Sequence, residues 1–323
     1  MGRIMDGLGA VLDHKQGAVA RRVLDWPGDA SGRGASVPLR LAGALHGLVL
    51  DGLAPRLAAA YQAGEAPADL LLQTIAAHEA RILDWLDHPP QTNEIARAAA
   101  LIAGAQFAQS RLERPLPMAL SELGASAGLN LNFPDYELDI DGKLFGPKNS
   151  AITLAPQWSG AMPGQIALTA PLRRGVDIRP VPLAEAHRLR AYLWPDQPLR
   201  LARLDAALAH AAAHPPELEA SDAADWLAGE ELSRPGLLCL VYHTIAFQYF
   251  PQQTQRRITE RLLQAGASAT AEAPLAHLSM EADATRGSAA LTLSLWDGTR
   301  RDWTLGRVDF HGRWLAWQPG TAT

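Results

Sequence analysis

A loop of small residues with polar side chains at its two ends is the part of the sequence best suited to bind a ligand. It lies in the stretch L-S-E-L-G-A-S-A-G-L-N-L-N at residues 120–132, directly after an apolar run that predicts a strand. Small side chains let the chain turn sharply and let its backbone approach a flat ligand closely. The stretch therefore predicts a binding site, and its candidate contacts are Glu122, Gly124, Ser126, Gly128 and Asn130.

Further polar groups follow the strands that we expect beside this loop. Asp177 follows a short strand, Asp222 and Ala223 follow the strand P-E-L-E-A, and His243 ends the apolar strand G-L-L-C-L-V-Y-H-T. Ligands of open α/β sheets bind outside the carboxyl ends of the strands, so these groups should meet there. Asp177 can accept hydrogen bonds from two ribose hydroxyls. Asp222 and Ala223 can meet an adenine edge, and Glu122 can orient the loop or meet a cationic amine.

The motif Q-T-N-E at residues 91–94 has two interpretations. It follows two prolines, and either Thr92 or Asn93 can cap a new helix whose positive end suits Glu94. Four consecutive hydrogen-bonding side chains exceed what capping requires, so the motif can also face a substrate. On that interpretation the substrate contacts are Gln91, Thr92, Asn93, Glu94 and Arg97, with Tyr249 from the polar cluster after the apolar strand.

Histidines supply the candidate bases. His243, at the end of the central strand, is the first candidate, and His311 in H-G-R-W is the second, although a turn residue is an equally good interpretation of His311. His210 and His214 lie one helical turn apart, but no cysteine or H-E-x-x-H context supports zinc binding. We therefore expect a solvated helix face there and no metal site.

The periodicity of the chain predicts a helical part followed by an α/β part. Apolar residues at helical spacing between residues 71 and 85 predict one helix, and no strand signal occurs before residue 116. We expect a helical region at 1–115 and an α/β domain at 116–323, with an insertion at about 134–174 that has no core of its own. Strands alternating with helices, followed by β-hairpins, predict a mainly parallel, Rossmann-like sheet with an antiparallel C-terminal edge.

Composition excludes several partners. The 323 residues carry a formal net charge of -5 and no basic run, which argues against nucleic acid. No apolar run is long enough to cross a membrane, and the first residues do not resemble a signal peptide. We expect a cytoplasmic protein that acts on a small molecule, and the sequence leaves its oligomeric state open.

Two resemblances rest on these motifs. E-L-G-A-S-A-G-L-N, G-V-D-I-R-P and S-D-A-A-D resemble the glycine loop, second-strand acid and adenine-side motif of S-adenosylmethionine-dependent methyltransferases. That resemblance implies S-adenosylmethionine as cofactor, although Pro134 cuts short the helix expected after the loop. Nearly the whole chain is also similar to a bacterial family of uncharacterised proteins, through Q-T-N-E, G-A-S-A-G-L-N, W-P-D-Q and H-G-R-W-L-A-W.

Three functional hypotheses follow. The first is methyl transfer to a small molecule, in a pocket closed by the helical region. The second is a methyltransferase-like binding module without catalysis. The third is an α/β-hydrolase, because G-A-S-A-G is also G-x-S-x-G, and Ser126, Asp222 and either His243 or His311 follow the order serine, acid, histidine. No H-G-G-G oxyanion loop accompanies that motif.

Overall fold

A computed structural model of the chain describes residues 2–32 and 34–323, and it contains helices, strands and short 3₁₀ turns. The helices are α1 (Gly2–Val11), α2 (Ala18–Leu24), α3 (Val37–Leu50), α4 (Pro55–Gln62), α5 (Ala68–Ala77), α6 (Glu79–Leu86), α7 (Ala98–Gln109), α8 (Ala186–Ala191), α9 (Pro198–Ala213), α10 (Ala223–Gly229) and α11 (Gln252–Ala267). The strands are β1 (Met118–Leu123), β2 (Glu137–Ile140), β3 (Lys143–Phe145), β4 (Thr153–Leu154), β5 (Gln157–Gly160), β6 (Leu172–Asp177), β7 (Glu217–Ala220), β8 (Leu238–Thr244), β9 (Leu275–Ala282), β10 (Ala289–Trp296), β11 (Arg300–Val308) and β12 (Trp314–Trp317).

The described chain divides into two compact units. Residues up to 92 and residues 182–205 form the first, and residues 93–181 and 206–323 form the second. This division differs from the boundary expected near residue 115, because α7 belongs with the sheet and α8 belongs with the N-terminal helices.

The first unit is a helical cluster around a leucine-rich core. Leu45, Leu57 and Ile75 are buried there, and the indole N–H of Trp85 donates to the hydroxyl of Tyr192 at 3.0 Å. The prediction of one helix between residues 71 and 85 is wrong. The helix breaks at the residue before α6, where the backbone leaves helical geometry, so the apolar stripe is carried by α5 and α6.

The second unit is built on a nine-stranded sheet of order β5-β12-β11-β10-β9-β8-β1-β6-β7. Strands β7, β6, β1, β8 and β9 are parallel, whereas β9 to β12 are antiparallel. Every residue of β1 and β8 is buried, as expected for central strands that are covered on both faces. The predicted mixed α/β fold, with a mostly parallel sheet and an antiparallel C-terminal part, is confirmed.

Helices cover the two faces of this sheet. Side chains alternate between faces along a strand. Leu123 and Val241 pack in one cluster with Ile258 of α11, so the odd-numbered residues of β1 and β8 face α10 and α11. Gly104 of α7 lies against Leu278 on the other face, where a Cβ would approach the leucine to within 2.6 Å. Glu122 and His243 therefore lie on opposite faces of the sheet.

The segment expected as an insertion without a core contains β2, β3, β4 and β5. Strands β3, β2 and β4 form a separate small sheet that buries Phe145 and Leu154, and β5 pairs with β12 at the edge of the large sheet. The predicted β-hairpin is confirmed as β2 and β3, with Asp141 and Gly142 in left-handed conformation between them. Five prolines interrupt the periodic pattern of this segment, so the pattern did not predict the small core.

Among the residues that the structure describes, no single helix is long and apolar enough to cross a membrane. Only α3 and α4 together meet that criterion by length and composition, and they are bent by 106° relative to each other.

Candidate functional site

The loop after β1 is fastened to the end of β6. The N–H groups of Gly124 and Ala125 donate to the carbonyl of Val176, and the N–H of Ser126 donates to Oδ2 of Asp177 at 2.9 Å. Oδ1 of Asp177 accepts the N–H of Arg179 at 2.9 Å. The predicted loop and the predicted acid are therefore neighbours in the fold, joined by one hydrogen bond.

Most of the loop is covered by protein atoms. Ala125 and Ala127 are buried, and a Cβ on Gly128 would lie 2.8 Å from Cγ of Pro216 and 2.9 Å from Cδ2 of Leu218. In this structure, protein side chains occupy the space beside Gly128, where the sequence predicted a ligand. Gly124 is the one loop residue between 124 and 128 that is partly accessible.

Asn93 and Asn130 tie the Q-T-N-E motif to the glycine loop. Oδ1 of Asn93 accepts the N–H of Leu129 at 2.9 Å, and Nδ2 of Asn130 donates to the carbonyl of Glu94 at 3.4 Å. Glu94 is buried, and its side chain caps the following 3₁₀ turn through the N–H of Ala96. The two motifs therefore bind each other, while Oδ1 of Asn130 is buried and has no hydrogen-bond partner among the residues that the structure describes.

Arg97 joins the same cluster to the two strands behind it. Its guanidinium donates to the carbonyls of Thr244 at 3.1 Å and Phe310 at 2.8 Å. Gly312 lies directly against the backbone at Ala96, where a Cβ would approach the carbonyl oxygen to within 2.5 Å. The H-G-R-W stretch is thereby held against the Q-T-N-E segment, and these bonds give the predicted substrate contact Arg97 a structural role.

Glu122 is a buried carboxyl group on the α7 face of the sheet. The Tyr242 hydroxyl lies 3.5 Å from its Oε2 and donates to the carbonyl of Asn130 at 3.2 Å. Burial raises the pKa of Glu122 well above its ordinary value, and the charge of Asp177 adds to this effect. The Tyr242 hydroxyl and the charge of Arg97 each lower the pKa, but the net shift is upward. The carboxyl group thus keeps its proton to higher pH than an exposed glutamate.

Asp222 caps a helix. Its Oδ1 accepts the N–H groups of Ala224 and Asp225 at the start of α10, and its Oδ2 accepts the Thr254 hydroxyl at 2.7 Å. Burial alone would raise the pKa of Asp222, but these hydrogen bonds outweigh it and lower the pKa. The predicted adenine contacts Asp222 and Ala223 therefore lie at a helix start, and Ala223 is buried.

His243 takes part in a hydrogen-bonded chain that sequence analysis did not find. Its Nδ1 lies 2.8 Å from Oε1 of Glu281, and its Nε2 lies 3.0 Å from Nε2 of His277. Phe247 stacks on the imidazole ring with 4.7 Å between ring centroids. His277 and Glu281 belong to β9, and only their alternation along one predicted strand hinted that they share a face.

The accessible carboxyl rim of the sheet is smaller than expected. Tyr249 and Ile178 are 66% and 71% exposed on either side of the loop after β1, and Asp177 is half-buried between them. Ile245, directly after β8, has a φ of 50°, which is a strained conformation for a β-branched residue. The rim thus combines one carboxylate, two exposed apolar side chains and one strained residue.

The remaining predicted site residues lie elsewhere. His311 is exposed in the turn between β11 and β12, where its N–H donates to the side chain of Asp309. Gln91 and Thr92 belong to the first unit, so their substrate role stays a prediction. Within the described ranges no group of His, Cys, Asp and Glu side chains is arranged to hold a metal ion.

No serine triad is assembled around Ser126. Its hydroxyl is buried and has no hydrogen-bond partner in the described part of the chain, although its φ of 54° is unusual for serine. Asp222 caps α10, and His243 bonds to Glu281 and His277. The geometry favours binding at the rim over acyl transfer from this serine.

One comparison with known proteins gives a result. A family model described as "Uncharacterized protein conserved in bacteria (DUF2332)" matches residues 1–317. No curated protein and no solved structure matches the chain.

Proposed function

The chain belongs to this bacterial family, DUF2332, and on that premise we propose that it binds S-adenosylmethionine at the carboxyl rim of the large sheet and transfers the methyl group to a small molecule. The observation that carries the proposal is the 2.9 Å hydrogen bond from the Ser126 N–H to Asp177. It joins the loop after the first strand to the acid after the second parallel strand, which is the pairing that nucleoside-binding α/β sheets use.

The strand order supports this location. The parallel strands β7-β6-β1-β8-β9 follow the order third, second, first, fourth, fifth among themselves, as in doubly wound sheets. In such sheets a ligand binds where the order reverses, which here is at the ends of β1 and β8. Gly124 follows β1 at that point, and Ile245 follows β8. A Rossmann-like, methyltransferase-type architecture is accordingly part of the proposal.

Asp177 fits the role of ribose acceptor. Its carboxylate accepts the backbone N–H groups of Ser126 and Arg179. The half-buried acid at the end of β6 is the group that would accept the ribose hydroxyls. Exposed Tyr249 and Ile178 offer apolar surface on either side for the adenine ring.

The predicted site residues that are buried have a structural role beneath the rim in this proposal. Glu122, Gly128 and Asn130 are packed among protein groups, and Asp222 positions α10. In this proposal the ligand contacts are Gly124, Asp177 and Tyr249.

Methyl transfer at this rim depends chiefly on alignment. Holding two reactants in register can contribute about 7–11 kcal/mol, whereas a general base adds about 10²–10⁴-fold to the rate. S-adenosylmethionine would supply the electrophilic methyl group, and the chain's residues would bind and orient the reactants. The proposal consequently needs no exposed base beside Asp177, and His243 and His311 are not required to contact the methyl donor.

Isothermal titration calorimetry of the full chain with S-adenosylmethionine and S-adenosylhomocysteine tests binding. We expect a heat of binding and a rise in melting temperature with both ligands. Folded protein that shows neither at millimolar ligand would overturn the proposal.

Asp177→Asn is the informative variant, and Asp139→Asn is its matched control. Asp139 is also half-buried and accepts one backbone N–H, that of Gly142, in the small sheet. One charge-assisted hydrogen bond contributes about 1.5–3 kcal/mol, so Asp177→Asn should weaken binding about tenfold or more. Equal affinities for the two variants would place the ligand elsewhere.

Turnover separates the enzyme from the binding module. Protein incubated with methyl-labelled S-adenosylmethionine and a bacterial metabolite extract should release S-adenosylhomocysteine and label a small molecule. Tight binding without any labelled product would favour the module without catalysis.

A further inference from the structure

Glu281, His243 and His277 form a continuous chain of ionisable groups on the α11 face of the sheet, and the proposed function does not use it. We propose that they are a proton relay, with Nδ1 of His277 as its accessible end, that acts as a general base toward a hydroxyl or amine of a bound small molecule. This site is separate from the carboxyl rim, and neither proposal depends on the other.

The accessibility of the three groups changes along the chain. The side chain of His243 is 2% exposed and that of Glu281 is 13% exposed, whereas His277 is partly accessible. Nδ1 of His277 has no hydrogen-bond partner among the described residues, while its Nε2 bonds to His243. A proton from outside can therefore reach this chain at His277, and Phe247 shields the ring of His243.

Glu281 sets the direction of the hydrogen bonds. Its Oε1 accepts the N–H groups of Ala246 at 3.0 Å and Phe247 at 3.1 Å, in addition to its contact with Nδ1 of His243. Oε1 of Glu281 is thus placed to accept from three donors. Nδ1 of His243 consequently carries a proton, and its Nε2 accepts the Nε2–H of His277 when the pair is neutral. Nδ1 of His277 is then an acceptor.

Proton uptake follows from this arrangement. A proton that arrives at Nδ1 of His277 is matched by transfer of the Nε2 proton of His277 to Nε2 of His243. One N–H bond forms and one breaks on His277, which stays neutral overall, and the positive charge resides on His243 beside Glu281. The carboxylate keeps its charge throughout and pairs with the imidazolium.

The environment of the two rings explains why the charge moves inward. Burial, with a smaller contribution from the charge of His243, lowers the pKa of His277 to about 3, so His277 is a poor site for a positive charge. Nδ1 of His243 lies 2.8 Å from Oε1 of Glu281, so the relay ends at a carboxyl group behind the ring that would receive the proton. The relay thus combines an accessible acceptor with a stabilised site for the charge.

Space for a small molecule lies at strands β10 and β11, next to the strand that carries His277. His277 pairs across the sheet with Ser294, which pairs with Asp302, so the three residues share one face in a row. A cavity of about 340 Å³ includes Ser294 and Asp302 in its wall. Hydroxyl groups are abundant around it, from Thr292, Ser294, Thr304, Thr321 and Thr323. These groups would hold a small hydroxyl-bearing or amine-bearing molecule.

Other charged groups on the packed elements have partners of their own or are exposed. Asp302 bonds to Ser294 and Arg300. At the start of α10, Asp222 accepts the Thr254 hydroxyl, and Arg257 of α11 pairs with Asp225. Arg261 donates to two backbone carbonyls. Arg256 and Glu260 are exposed. Glu281 is therefore the charge that governs the histidine pair.

Long-range ¹H–¹⁵N spectra of histidine-labelled protein, recorded against pH, test the relay without a ligand. Assignments come from His243→Asn and His277→Asn. We expect the proton of His277 to move from Nε2 to Nδ1 as pH falls, while His243 becomes doubly protonated. Conversion of His277 itself to imidazolium, or a proton that stays on Nε2 of His277, would overturn the proposal.

Glu281→Gln tests whether the charge of Glu281 favours protonation of the histidine pair. Loss of the carboxylate charge should shift the titration of the histidine pair to lower pH, because an adjacent opposite charge favours the charged form. Asp283→Asn is the matched control, because Asp283 follows β9 and pairs with Arg307 instead of a histidine, and it should leave the titration unchanged. An unchanged titration in Glu281→Gln would contradict the relay, and the wild-type tautomers remain decisive if that variant does not fold.

Discussion

Asn93 accepts the backbone N–H of Leu129 at 2.9 Å, and this bond joins the segment before α7 to the turn after the glycine loop. Asn130 returns the connection by donating to the carbonyl of Glu94. Each motif thereby satisfies a backbone group of the other in a region where unpaired polar groups are costly. Asn93 and Glu94 consequently form one structural element with the G-A-S-A-G-L-N motif in the second unit, and this element holds the loop that carries Ser126 beside Asp177.

Removal of the Asn93 acceptor should destabilise the second unit. Asn93→Ala leaves the partly buried backbone N–H of Leu129 without its acceptor, which costs about 1–3 kcal/mol of unfolding free energy. Asn93→Asp keeps an acceptor oxygen at the same place and should recover most of this loss. Urea unfolding of the three proteins measures the difference. Equal losses in both variants would show that the hydrogen bond is not the cause.

Gly128 should tolerate a side chain less well than Gly142. Both have positive φ, 69° and 84°, so alanine costs about 1–2 kcal/mol of backbone strain at either position. A Cβ at Gly128 also meets Pro216 at 2.8 Å, whereas nothing lies within 4 Å at Gly142. Gly128→Ala should therefore lose about 1–3 kcal/mol more than Gly142→Ala in urea unfolding. Similar losses would mean that the loop is not packed against the proline.

Glu122 should make stability fall with rising pH. Its pKa is raised in the folded state, so above the ordinary glutamate pKa of about 4.3 the native protein binds more protons than the unfolded chain. Stability from this group is complete below that pH and is lost as pH rises through the raised native pKa, at no more than about 1.4 kcal/mol per pH unit. Glu122→Gln should thus gain stability over wild type as pH increases from 5 to 8.

The exposed Glu272 provides the control for this experiment. Glu272→Gln should keep a constant offset from wild type in unfolding free energy across the same pH range. A constant offset for Glu122→Gln as well would show that the Glu122 carboxyl does not hold its proton.

Ser126 should not react with a fluorophosphonate probe. Its hydroxyl is buried, and no described histidine contacts it, so neither access nor base activation is present. Mass spectrometry after incubation should find no adduct on this serine, with a serine hydrolase labelled in parallel as the positive control. Labelling that Ser126→Ala abolishes would instead support the hydrolase hypothesis.

Sequence alone established the local features of the fold. Continuous apolar character predicted the buried strand β8, alternation and a glycine turn predicted the β2–β3 hairpin, and small residues predicted the loop after β1. These features depend on residues close together in the chain, where periodicity and turn chemistry are direct signals. The bacterial family was also identified from short motifs, and its model confirms that identification.

Tertiary structure decided which polar residues meet. The sequence predicted Glu122 and His243 at one ligand, yet they lie on opposite faces of the sheet because side chains alternate along β1 and β8. Asn93 reaches Leu129 across 36 positions and His243 reaches Glu281 across 38, and both contacts depend on strand order and register. Local periodicity encodes neither strand order nor register. For that reason the Glu281–His243–His277 chain could be recognised only in the assembled sheet.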